Sequence, residues 1–126
     1  MNLTEEVKRQ IMEEFLKKII RISDPKYQER VWIRGEGLEC DDFDETVCQF
    51  FDIGDPVLDD YENFGITDSQ YHLLMEFRED LRSFSKEEGE ELLPKEFIGT
   101  PKWKKIMEMA RKILDAFNYE EELDKL

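Results

Sequence analysis

The forty-three residues from Gly35 to Phe77 contain no lysine and no arginine, yet thirteen of them are Asp or Glu. The flanks are nearly balanced, so this middle third carries thirteen of the fourteen net negative charges of the 126-residue chain. Histidine occurs once and cysteine twice. The lone His72 excludes a multi-histidine zinc site and the paired Glu-x-x-His ligands of di-iron bundles within one chain. Apolar runs stop at lengths such as Val31-Trp32-Ile33 and Leu73-Leu74-Met75, far below the roughly twenty residues of a membrane span. Met1 to Gln10 lacks the basic-then-apolar layout of a secretory signal. A cytoplasmic chain with reduced Cys40 and Cys48 is the resulting expectation. Gly-rich phosphate loops are missing too: Gly35-Glu36-Gly37 is short and acidic and follows no clear strand. Direct nucleic-acid binding needs a basic footprint, which this composition lacks.

What is present is a core. Nine Phe, four Tyr and two Trp sit in a chain that is 40% hydrophobic, which argues for one folded domain over residues 1–126 rather than an acidic disordered tail. The apolar spacing is helical almost throughout. Thr4 caps a first helix whose stripe is Val7, Ile11, Phe15, Leu16, Ile19 and Ile20, and Asp24-Pro25 stops it. Lys26 to Arg34 reads either as a short helix after Pro25 or as a strand at Val31–Ile33, with the helical or irregular form favoured because a strand has no partner. Asp41 or Asp42 caps a helix to about Ile53 that Gly54 ends. Asp55-Pro56 then opens a short one burying Val57, Leu58, Tyr61 and Phe64. Thr67 and Gln70 have capping-box spacing for a helix to about Phe84. Thr100-Pro101 starts the most regular stripe: Trp103, Ile106, Met107, Ala110, Ile113, Leu114 and Phe117. The expected fold is all-α, a compact bundle of about five helices.

Chemistry-bearing patterns are few. His72 falls on the polar side of its helix with Glu76, Glu79, Asp80 and Ser83, the place of a solvated side chain rather than a general base. Cys48 sits among carboxylates, a poor setting for a thiol nucleophile. Neither Asp41–Glu45 nor Asp52–Asp55 has the alternating ligands, central Gly and twelfth-position Glu of an EF-hand loop. Paired carboxylates could serve a metal-dependent hydrolase, but no pocket signal accompanies them, and neither enzyme activity nor a cofactor is expected. The basic residues Lys102, Lys104, Lys105, Arg111 and Lys112 of the last helix read as a solvated face turned toward the acidic segment.

That segment is the candidate site. Asp41, Asp44, Glu45, Cys48 and Asp52 have the i, i+3, i+4, i+7 and i+11 offsets of one helical stripe. Asp55, Asp59, Asp60 and Glu62 form a second row after the turn at Gly54, and Tyr61 and Trp32 are candidate aromatic anchors at the rim. The stretch Glu45–Pro56, followed by Tyr61–Thr67, resembles short acidic helical proteins of bacteria, some of which are immunity proteins that neutralise a toxin made by the same cell. The resemblance implies an inhibitor-type binder and assigns no individual residue. Read from the residues, the partner is a basic protein, such as a nuclease-type toxin domain, whose phosphate-binding cleft the carboxylates would fill. A helical adaptor that docks through an apolar groove, its acidic face only solvating, is the alternative.

Overall fold

Caps and prolines set the helix starts much as their side chains dictate. In the computed structural model, which describes residues 3–37, 41–89 and 91–118, Thr4 accepts the Val7 amide at 3.1 Å and opens α1 (Glu5–Ser23). Asp24 ends α1 and caps α2 (Pro25–Tyr27), which runs into a wider π-helical turn, Gln28–Ile33. The ambiguous segment is thus helical, and no strand occurs among the described residues. Asp42 caps α3 (Phe43–Asp59), a 3-10 turn follows at Tyr61–Phe64, and the Thr67–Gln70 capping box opens α4 (Asp68–Phe84). A second π turn, Ser85–Gly89, and the short α5 (Pro94–Phe97) lead to α6 (Pro101–Ala116), capped by Thr100. None of these helices is long and apolar enough to cross a membrane.

The four long helices surround one core in the order α3, α1, α6, α4, with α3 and α6 at opposite corners. Phe15, Phe50 and Phe77 meet at centroid distances of 5.3 and 5.4 Å in the middle of the bundle. One end is closed by rings from five different elements: Trp32, Phe43, Phe84, Phe97 and Trp103, the closest pair being Phe43 and Phe97 at 4.8 Å. Edge-to-face pairs of this kind contribute about 0.5–1.5 kcal/mol each beyond their buried area. Val7, placed in the buried stripe by its spacing, is 38% exposed because the core begins one turn further on.

The helix expected to end at Gly54 does not end there. α3 continues to Asp59 with Pro56 inside it, at the cost of one backbone bond to the Asp52 carbonyl. Gly54 serves packing instead. A Cβ at this position would lie 2.6 Å from Cε1 of Phe15, a ring that is fully buried and stacked on Phe50. Alanine would gain about 1 kcal/mol in helix propensity, against overpacking that costs about 1–3 kcal/mol. Gly54→Ala is therefore expected to lower the unfolding free energy by a net of about 1 kcal/mol, seen as a lower urea midpoint with an unchanged slope. A more stable variant would show that α1 and α3 can separate freely.

Candidate functional site

Because α3 is continuous, the two acidic rows become one. Asp44, Cys48, Asp52, Asp55 and Asp59 follow one another at spacings of four, four, three and four along the same face, with Glu45 beside them. At 1.5 Å per residue the row spans about 22 Å. Asp44, Glu45, Asp52, Asp59, Asp60 and Glu62 are all exposed, and among the described residues none of them forms an ion pair. Other parts of the surface are different. On α1, Glu5 pairs with Lys8, Glu6 with Arg9 and Glu14 with Lys17 within single turns.

Three residues of the predicted site, Asp55, Asp41 and Tyr61, have other occupations. Asp55 is held by Arg78 of α4 through two contacts, at 2.8 and 3.2 Å, and so fastens α3 to α4. Asp41 is not on the acidic face at all. It precedes the cap residue, and only 4% of its side chain is exposed. Its Oδ2 accepts from Tyr27 Oη at 2.6 Å, Thr46 Oγ1 at 2.6 Å and Trp32 Nε1 at 3.2 Å, with Arg21 at 3.6 Å. Among the described residues no donor reaches its buried Oδ1. Burial alone would push this carboxyl up, but the three hydrogen bonds and Arg21 outweigh it and hold the pKa below the ordinary aspartate value. Spacing put Asp41 on the stripe because it assumed helical backbone at a position that lies before the helix.

Tyr61 is half-buried, its ring stacked on Tyr71 at 4.1 Å. Its hydroxyl donates to Asp68 at 2.8 Å, and that bond, with the carboxylates nearby, pushes the phenol up to about 12. Trp32 is no free rim anchor either: it is 7% exposed, within the aromatic end cluster. One edge of it nevertheless lines a feature that periodicity missed. A groove of about 310 Å³ lies between the first turn of α3 and the segment before α5. Its apolar lining is Trp32, Phe43, Leu92, Leu93 and Pro94, and its carboxylates are Asp42, Asp44 and Glu91. Leu93 is 58% exposed, more than any other large hydrophobic side chain described. The only signal in the sequence was the Leu92-Leu93-Pro94 run, which is too short for either period.

The basic face of α6 is not turned toward the acidic row of α3: α6 packs chiefly on α1 and α4, and among the described residues none of its cations pairs with an acid of that row. Lys102 pairs with Glu87 and Glu88, and Arg111 donates to the Ser23 carbonyl at 3.0 Å. Comparison with protein-family models, with curated proteins and with solved structures finds no match to this chain. His72 and Cys48 are both exposed, and Cys40 lies outside the described residues. Among the described residues no three His, Cys, Asp or Glu side chains are grouped to hold a metal ion. What the acidic edge can do is attract cations over a long front: its carboxylates are solvated, one-signed and fixed on a rigid helix.

Proposed function

We propose that this chain is an acidic protein-binding module that sequesters a basic protein partner along the exposed edge of α3, in the manner of an inhibitor or immunity protein. A nuclease-type toxin domain has the matching chemistry, since its cleft is built to hold a row of phosphates. The observation that carries the reading is the contrast in charge pairing. Acids on α1 are neutralised within a turn, whereas among the described residues Asp44, Glu45, Asp52 and Asp59 share one face without an ion pair, the Arg78 that reaches this face being taken by Asp55. Such a field raises association rates at low salt and loses that effect as ions screen it.

The test is capture from a lysate of the source organism, followed by kinetics with the purified partner. A basic protein is expected whose on-rate falls steeply with ionic strength. Reversing Asp44, Glu45, Asp59 and Asp60 to lysine is expected to weaken binding by more than about tenfold, with the melting curve retained. Undiminished affinity in the folded variant would sink the proposal. The adaptor reading is favoured by one observation, the exposure of Leu93 beside the groove. It predicts a partner indifferent to salt.

A further inference from the structure

We infer that the groove at the start of α3 is the anchor subsite of this binding edge, taking one arginine or lysine side chain together with an adjacent apolar residue of a basic protein segment. The inference rests on the acidic-edge reading and says where along the edge the partner is gripped. Two properties of the groove point to that occupant. Its volume, about 310 Å³, is at the small end of ligand sites and suits one or two side chains rather than a helix. Its walls join apolar surface, with Leu93 standing 58% exposed, to the carboxylates of Asp42, Asp44 and Glu91. Lysine and arginine have the same two-part character, a methylene stem that lies on apolar surface and a cationic head that seeks anions.

Anions are turned away. The amino end of α3 offers about half a positive charge, against three carboxylates, and the Glu45 amide there is already taken by Asp42 at 2.8 Å. The groove is also preformed. The Trp32 indole is held by Asp41 at 3.2 Å and packed on Phe43 at 5.6 Å, so little ordering is needed when a side chain enters. Asp44 belongs to both the groove and the α3 row, so a segment lying along the edge would run directly into the anchor.

The experiment uses two acetylated, amidated peptides of equal charge, one alternating arginine with leucine and one alternating arginine with serine, titrated into the labelled chain and followed by amide and indole NMR shifts. The arginine–leucine peptide is expected to bind about tenfold tighter and to move the Trp32 indole and the Asp44 and Leu93 amides. The variant Leu93→Ser, at an exposed position, should remove that advantage and leave the arginine–serine peptide unchanged. If the two peptides bind alike and shift only Asp52 to Asp59, the subsite is refuted and the acidic edge stands. If neither binds, both are refuted. Equal binding of a glutamate–leucine peptide would also overturn the inference, since the groove would then select apolarity alone.

Discussion

Replacing Gln28 with leucine is expected to destabilise the domain by about 3 kcal/mol, a fall in melting temperature of roughly 10 °C for a chain of this size. Gln28 is fully buried, yet its amide is satisfied on both ends. Nε2 donates to the Arg21 and Ile22 carbonyls at 3.0 and 2.8 Å, and Oε1 accepts from the Trp103 indole at 2.9 Å. The residue thus joins the last turn of α1, whose carbonyls have no helical partner, to the first turn of α6. Leucine matches it in size but orphans a buried indole N–H and the Ile22 carbonyl, while Arg21 keeps a longer bond from the Asp24 amide at 3.4 Å. Each orphan costs about 1–3 kcal/mol. The check is a double-mutant cycle with Trp103→Phe in urea. A coupling of about 1 kcal/mol or more is expected, because the phenyl ring has no donor to strand. Strict additivity would mean that the Gln28–Trp103 bond contributes nothing.

Asp41→Ala is expected to cost a comparable amount, about 3 kcal/mol at neutral pH, since it strands the donors of Tyr27, Thr46 and Trp32 beside Arg21. Asp41→Asn should cost only about 1 kcal/mol, because an amide oxygen can occupy the Oδ2 position. The aspartate also makes stability depend on pH. Its folded pKa lies below the unfolded value, near 3.9. As pH falls the unfolded chain takes up the proton first, so the stabilisation is complete above that value and is lost through the depressed folded one. Urea melts at about pH 7, 5 and 3 should therefore show the gap between wild type and Asp41→Asn closing only at the most acidic point. A gap that is constant with pH would show that the charge of Asp41 contributes nothing to folding. Lys18, buried nearby on α1, has its own pKa lowered, first by burial and then by the charge of Arg21. It is a second cation that Asp41 faces.

The all-α class, the caps at Thr4, Thr67 and Thr100, a cap at Asp41 or Asp42, and the buried stripe of α6 were legible because each rests on local chemistry, whereas Trp32 read as a rim anchor and proved to be core. A cap needs only a side chain within three residues of the amide it accepts, and a buried stripe needs only the 3.6-residue period. The charge imbalance was legible for the same reason, being a matter of counting. Tertiary packing decided the rest. Gly54 and Pro56 read as a helix end, since both residues weaken helix locally. The close approach of Phe15 instead makes a glycine the residue that lets α3 pass, and the acidic row becomes one continuous edge. Asp41 left that row because Tyr27, Trp32 and Thr46 converge on it from other turns of the chain. No local rule could bring Leu93 beside Asp44, forty-nine residues away in the chain. By itself the sequence determined a helical domain with its negative charge gathered in the middle. Which carboxylates face solvent, which bind the protein to itself and where a groove opens between them depended on contacts between distant residues.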